Sequence, residues 1–309
     1  MSRRLLPMAQ SGDAPLAAAE GPPPFPRIGV VGLGLMGGSI ALACRQVWPS
    51  CLVIGVDRND VLEQAMVRHV MDVAADDLFV LADADLVVLA APVRQNITVL
   101  ASLPEMLKAG ALVTDVGSTK RSIVEAARRA APGLGFVGGH PLAGAARGGI
   151  QHAAAGLFRN RPWILTPGQE APEAGVARLA DFVRALGARP HVMTAAAHDR
   201  LVAFISHVPQ IVASSLMAAI GDEVRDEGLA LAGNGLADTT RLASSPATIW
   251  ADICASNADE IGPALDRVIA VLQRARAHLG DADAIADIFD AAAGWRDKLT
   301  ANRDQEQTS

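Results

Sequence analysis

The sequence predicts an α/β protein, an N-terminal Rossmann-type doubly wound sheet followed by an all-helical C-terminal domain, and three observations carry that reading. From Arg27 to Thr194 short, largely β-branched apolar runs alternate with Ala-rich helical stretches, the pattern of parallel strands joined by covering helices. A glycine-rich segment of the form G-x-G-x-x-G stands between the first strand and the first helix. After Thr194 the texture changes to long Ala/Leu-rich segments at helical spacing, with no convincing strand among them. A chain of 309 residues, half of them hydrophobic, suits two domains with substantial cores.

In chain order, residues 1–25 read as a flexible tail that ends in the stiff Pro22-Pro23-Pro24 spacer. The dinucleotide-binding domain takes 26–194, with strands expected at Ile28 to Val31, Leu52 to Val56, Leu86 to Ala90, Leu112 to Val116, Gly135 to Gly138, Trp163 to Leu165 and His191 to Met193. Their near-continuous apolar character implies burial on both faces. The helical domain takes 195–301, with long helices at Ala197 to Ile220 and Asn257 to Leu279 and breaks at Gly221, Gly233 to Gly235, Ser244 to Pro246 and Gly280-Asp281. Pro209 should kink the first of these helices. Residues 302–309 are polar and expected to fray. The helical part has more apolar positions than a small bundle needs to cover, which points to a homodimer built on these helices.

Composition narrows the function classes. With 27 Lys and Arg against 33 Asp and Glu, the net charge of −6 disfavours a nucleic-acid partner, since phosphate neutralisation needs clustered positive charge. Four Trp, seven Phe and no Tyr leave few platforms for stacking bases. Uninterrupted apolar runs such as Leu86 to Val93 fall far below the roughly 18 residues of a spanning helix, so no membrane partner is expected. Cys44, Cys51 and Cys254 have neither metal-ligand spacing nor an even number, so no metal site is expected and a reducing cytoplasm suits them.

The segment from Ile28 to Ile40 places Gly32, Gly34 and Gly37 at the three fingerprint positions. Gly32 makes the tight turn, Gly34 lets backbone approach a pyrophosphate, and Gly37 lets the helix pack on the strand. Leu35 and Met36 then lie at the helix N-terminus, whose N–H groups and partial positive charge face the phosphates. Asp57, 20 residues beyond Gly37 at the end of the second strand, is placed to accept hydrogen bonds from the adenosine ribose hydroxyls, which favours NAD. Arg58 beside it is suited to a 2′-phosphate, so NADP stays open.

Ligands of a doubly wound sheet sit beyond the carboxyl ends of its strands. Ala91-Pro92 and Gly117 fall there and are expected to line the cofactor; Ser118 and His140 arrive at the same rim from different strands. A neutral imidazole can take a proton from a substrate hydroxyl while hydride leaves the same carbon, so His140 is the candidate general base. Ser118 either orients the imidazole or the substrate oxygen, or caps the helix that starts near Lys120. In the helical half, His207, Gln210 and Ser214 share one helix face; His207 is either a cleft-facing group or a satisfied core histidine, while His198 reads as a capping or structural residue. Arg241 lies in a low-charge neighbourhood and needs an anion, either an internal carboxylate such as Asp238 or a substrate carboxylate.

The stretches 32–40 (GLGLMGGSI), 114–120 (TDVGSTK), 138–144 (GGHPLAG), 206–209 (SHVP) and 238–243 (DTTRLA), in this order, resemble the prephenate/arogenate dehydrogenase family of tyrosine biosynthesis, from about Arg27 to about Leu299. The resemblance implies a small-molecule substrate and oxidative decarboxylation. Hydride leaves the ring carbon bearing the 4-hydroxyl for NAD(P)+, the ring carboxylate leaves as CO2, and prephenate gives 4-hydroxyphenylpyruvate or arogenate gives tyrosine. It implies that His140 contacts the 4-hydroxyl with help from Ser118, that Arg241 holds a substrate carboxylate, that the helix of His207 and Gln210 meets the substrate side chain, and that the helical domain dimerises. The chain departs from the pattern twice. Ala145, Ala146 and Arg147 follow Gly144 where some relatives carry an acidic gate, and Gln210 stands where some have a second histidine. A β-hydroxyacid dehydrogenase is a rival, but it should carry a helical-domain lysine, and Ala195 to Ala301 contain only Lys298. A non-catalytic NAD-sensing protein is the other.

Overall fold

The computed structural model describes residues 16–130, 132–144, 147–168 and 171–308. The described strands are β1 (Arg27–Val31), β2 (Leu52–Val56), β3 (Val73–Ala75), β4 (Leu86–Leu89), β5 (Leu112–Asp115), β6 (Gly135–Pro141), β7 (Pro162–Pro167) and β8 (Arg189–Val192). They form one sheet in the order β3-β2-β1-β4-β5-β6-β7-β8. Pairing is parallel throughout except between β6 and β7.

The expected runs are all present, with two corrections. Strand β3 was not foreseen, because Val73–Ala75 is too short to show a pattern. The wholly parallel reading fails at β6/β7: among the described residues the connection between them carries short 3-10 turns, Ile150–His152 and Ala155–Phe158, and no crossover helix, and the chain returns antiparallel. Strand β6 also runs on through Pro141, which puts His140 inside the strand rather than just past it.

Both faces of the sheet are covered, as the apolar runs require. Ile28, Val30, Val53, Leu86 and Val88 belong to one buried cluster, and Val31, Ile54, Val56, Val87 and Leu89 to the other. Alternate residues of each strand thus feed opposite cores. The helices flanking these strands are α1 (Leu35–Val47), α2 (Asn59–Val67), α3 (Val93–Ser102), α4 (Arg121–Ala130) and α5 (Glu173–Ala185). The expected tail is shorter than 25 residues. Phe25 is fully buried, edge-on to Phe182, which stacks on Trp48, while the Leu16 and Ala19 amides bond to Gln46 and Val47 near the end of α1. Burial of Phe25 in this aromatic group, together with the two amide bonds, holds the segment against the sheet-bearing unit. The rest of that tail, residues 1–15, lies outside the described residues.

The remaining helices are α6 (Ala195–Val202), α7 (Val208–Leu229), α8 (Asn234–Thr239), α9 (Ala247–Ser256), α10 (Ala258–Ala277) and α11 (Ala282–Thr308). Compact units do not divide at Thr194. One unit runs to Leu201 and takes in Ser245–Ser256; the other comprises Val202–Ser244 and the chain from Asn257 onward. Polar bonds hold α6 and α9 to the sheet-bearing unit: Asp199 to the start of α4, Ser256 to Thr119, and Asp252 to Arg94.

In the helical unit, Pro209 acts through a π turn at Ala203–His207. Its missing N–H and the clash of its ring with the carbonyl four residues back are relieved when the preceding turn widens. Gly221, read above as a break, lies within α7, and the irregular residue is Arg225 (φ 54°, ψ −169°). Within the helical stretch Ala195–Leu229 an 18-residue window, long enough to span, reaches a mean hydropathy of 1.6, which uninterrupted runs did not reveal. It also carries His207 and Gln210, buried and bonded to groups of the helical unit. The expected frayed C-terminus is instead the end of α11: Arg303, Gln305 and Glu306 are compatible helix residues, with no Gly or Pro to stop them.

Candidate active site

The sheet order reverses at β1, between β2 and β4, and the crevice beyond the carboxyl ends of these strands is where a doubly wound fold receives ligands. Gly32 follows β1 with φ +93°, a conformation that a side chain resists, and a Cβ there would lie 2.8 Å from the backbone of Ala90 and Ala91. At Gly37 a Cβ would lie 1.9 Å from the Gly32 carbonyl oxygen. Gly34 differs: a Cβ there meets nothing within 4 Å. Folding demands Gly32 and Gly37, while the open space over Gly34 is room for a ligand. Leu35 and Met36 open α1 over that space.

The adenosine end has matching geometry. The Asp57 carboxylate accepts from the Leu33 amide at 2.6 Å and the Arg58 amide at 2.7 Å, which fixes it under the glycine turn. A groove of about 510 Å³ is lined by Gly32, Asp57, Arg58, Asp76, Ala91 and Gln95 among others. The Arg58 guanidinium lies 79% exposed beside Asp60. Ala91 is held by Asn96, a fully buried amide that sequence reasoning passed over. Its Oδ1 accepts from the Ala91 amide, and its Nδ2 donates to the Leu89 and Ala91 carbonyls. Pro92 then caps α3. These donors and this space fit a dinucleotide.

On the other side of the crevice, Asp115 ends β5 and bonds to the Gly117 and Gly139 amides at 2.8 and 3.1 Å. Lys120, fully buried, pairs with Asp115 and donates to the Gly139 carbonyl at 2.8 Å. Burial lowers the Lys120 pKa from its ordinary value, opposed by Asp115 and then Asp199. This pair clamps the turn of Gly117 and Ser118 to the strand segment that delivers His140. This buried pairing was not foreseen from sequence, because a lysine five residues after a strand-end aspartate has no periodic signature.

His140 is 9% exposed. Its Nδ1 lies 2.8 Å from His198 Nε2, not on Ser118, and His198 Nδ1 lies 2.7 Å from Asp199 Oδ1. Asp199 also accepts the Lys120 and Arg121 amides at 2.7 and 2.9 Å, in the manner of an N-terminal cap for α4. Burial raises its pKa, but the bonds from His198 and from the Arg121 and Lys120 amides outweigh it, and the net shift is downward. His198 therefore contacts the candidate base directly, beyond the structural part expected of it. The signal available was the adjacent His198-Asp199 pair, and only the fold shows what lies opposite.

The substrate-side candidates belong to the helical unit. Arg241 is exposed and pairs with no carboxylate among the described residues, so the internal partner Asp238 is not used. His207 is buried, with Asn257 Nδ2 3.2 Å from its Nδ1. Buried Gln210 donates to the Leu242 carbonyl at 2.7 Å and to Ser214 Oγ at 3.2 Å, which ties α7 to the turn bearing Arg241. Ala145 and Ala146, at the expected gate, lie outside the described residues. Among the described residues there is no cluster of three metal-ligating side chains. Burial, and then the charges of Asp72 and Asp85, push the Cys51 thiol up to about 12, which makes it packing material and not a nucleophile.

Comparison with known proteins converges on one family. The model for the prephenate dehydrogenase nucleotide-binding domain matches residues 40–192, and that for its dimerization domain matches 194–290. A prephenate dehydrogenase of Bacillus subtilis is 36% identical over 280 residues, covering 87% of this chain and 75% of that protein. The chain belongs to the prephenate dehydrogenase family. A cyclohexadienyl dehydrogenase of Zymomonas mobilis is 33% identical, covering 84% of this chain and 90% of that protein. The crystal structure of Synechocystis arogenate dehydrogenase superposes with a TM-score of 0.77 at 32% identity, covering 88% of this chain and 99% of that one. The protein is thus a dehydrogenase, and the β-hydroxyacid and non-catalytic readings fall away. His140, Ser118 and the Asp115–Lys120 clamp all lie within the matched nucleotide-binding domain; Arg241, His207 and Gln210 lie within the matched dimerization domain.

Proposed function

We propose that the enzyme catalyses the NAD-dependent oxidative decarboxylation of prephenate to 4-hydroxyphenylpyruvate, in tyrosine biosynthesis. The observation that carries it is His140, near the carboxyl end of β6, bonded through Nδ1 to His198 and next in the chain to Gly139, whose carbonyl the buried Lys120 holds. Gly32, Gly34, Leu35, Met36 and Gly37 would hold the pyrophosphate, Asp57 the adenosine ribose, and Ala91, Pro92 and Gly117 the walls beside it. When bound, NAD supplies the hydride acceptor. His140 takes the proton of the ring hydroxyl as the C–H bond on the same carbon breaks, and loss of the ring carboxylate as CO2 completes an aromatic ring. Ser118 assists at the hydroxyl, and Arg241 forks onto a substrate carboxylate. The His207 and Gln210 side chains support the helix that meets the substrate side chain.

Arogenate is the second reading, favoured by 32% identity to an arogenate dehydrogenase over most of both chains. Dimerisation through the helical part is supported by the match to a dimerization domain and by exposed apolar side chains on α10 and α11. Three free thiols suit a reducing cytoplasm.

The deciding experiment follows reduced-cofactor absorbance with prephenate or arogenate, each with NAD or NADP. Turnover with prephenate and NAD is expected. Faster turnover with arogenate would give the substrate to the second reading, and no turnover with either would refute both. His140→Asn should cut kcat by about two to four decades while NAD affinity is kept. Full turnover in that variant would remove His140 from the chemistry.

A further inference from the structure

We infer that His198 and Asp199 are positioning residues that set the protonation state of His140, each ring fixing the next. The inference rests on the assignment of His140 as the base and names what makes it one.

The argument follows the donors. Asp199 is fully buried and takes N–H bonds from the Lys120 and Arg121 amides, from Arg121 Nε at 3.2 Å and from His198 Nδ1, a set that only an ionised, acceptor-only carboxylate satisfies. His198 must therefore carry its proton on Nδ1. In the neutral ring Nε2 is then an acceptor, and the proton in the 2.8 Å bond between the rings belongs to His140 Nδ1. A neutral His140 protonated on Nδ1 has its lone pair on Nε2, the nitrogen that can receive a hydroxyl proton. The opposite tautomer would present an N–H and could not act as a base. Once His140 has taken the proton, the imidazolium is linked through His198 to the buried Asp199 charge, an arrangement that follows the logic of an acid–histidine pair in hydrolases with a second imidazole inserted.

The sign of the pH effect follows from the charges that face the pair. Asp199 faces it directly; Arg121, at the start of α4, and Lys120 face Asp199; and Asp115 pairs with the Lys120 ammonium. The Asp199 anion favours positive charge on the ring it faces, so its removal makes a protonated intermediate harder to form. Activity falls on acidification in the wild type as the pair gains its proton, and it should fall at a lower pH in a variant without the charge.

Asp199→Asn tests this. With the amide oxygen on the two Arg121 donors, the NH2 replaces the oxygen that faces His198 and gives up the bond from the Lys120 amide; facing His198, it reverses both tautomers and puts the His140 proton on Nε2. Expected are a kcat loss of about two to four decades, NAD affinity within a few-fold of wild type, and an acid limb of kcat/KM displaced to lower pH by about one unit. Independently of any substrate, 15N-histidine spectra of the whole chain, assigned with His140→Asn, should show wild-type His140 protonated on Nδ1 and the Asp199→Asn ring protonated on Nε2. If prephenate and arogenate both fail as substrates, the spectra still decide the inference. A wild-type His140 protonated on Nε2, or an Asp199→Asn protein with unchanged tautomer and acid limb, would overturn it. Should Asp199→Asn not fold, His198→Gln serves: its amide oxygen can keep the His140 tautomer while the link to Asp199 is cut. A downward shift of the acid limb with a smaller kcat loss is then expected, and an unmoved limb would equally overturn the inference.

Discussion

At the scale of single residues, the three fingerprint glycines serve different masters. A methyl group at Gly37 would overlap the Gly32 carbonyl oxygen at 1.9 Å, whereas at Gly34 it would enter open space. Gly37→Ala should therefore destabilise the protein by about 1–3 kcal/mol in denaturant unfolding. Gly34→Ala should leave unfolding nearly unchanged yet weaken NAD binding at least several-fold by calorimetry, because only the ligand contests that space. Equal stability losses at both positions would mean that Gly34 is needed by the fold and not by the cofactor. The motif spacing made Gly32, Gly34, Gly37 and Asp57 legible before any coordinates, since each answers to a local strand–turn–helix geometry. His198 and Asp199 were not legible, because their partners stand 58 and 79 residues away.

At the scale of elements, the crevice depends on turns held from behind. Asn96, in the first turn of α3, satisfies one amide and two carbonyls of the β4–α3 connection that carries Ala91 and Pro92. Asn96→Ala would orphan these groups in a buried place. A loss of about 1–3 kcal/mol in urea unfolding is expected, together with weaker NAD binding as the Ala91 wall loosens. Unaltered stability would show that water substitutes for the amide. Helix α7 gives the complementary lesson. Pro209 predicted an irregularity correctly in place, but whether the chain kinks or widens into a π turn depends on what packs around it: His207, the last residue of that turn, meets Asn257, and Gln210, just beyond it, donates to the Leu242 carbonyl.

At the scale of the whole molecule, the surface of the C-terminal helices is the outstanding feature. Phe289 and Trp295 on α11 are 70% and 71% exposed, and Leu272 on α10 is exposed as well. Large apolar side chains left in water at this density mark a surface that a partner covers. The chain is expected to run as a dimer of twice its 32.0 kDa in light scattering, and Leu272→Asp with Phe289→Asp should shift it toward the monomer with the N-terminal sheet intact by circular dichroism. A wild-type monomer at micromolar concentration would contradict the dimer proposal.

Periodicity and turn chemistry determined the order of the elements and the glycine turn between β1 and α1, because these follow from contacts between near neighbours in the chain. Only the tertiary structure decided the antiparallel return of β7, the assignment of α6 and α9 to the sheet-bearing unit, the Asp115–Lys120 clamp and the two-ring relay behind His140. Each of these is a bond between groups distant in sequence, and a buried polar group announces neither its partner nor its protonation until the fold has closed around it.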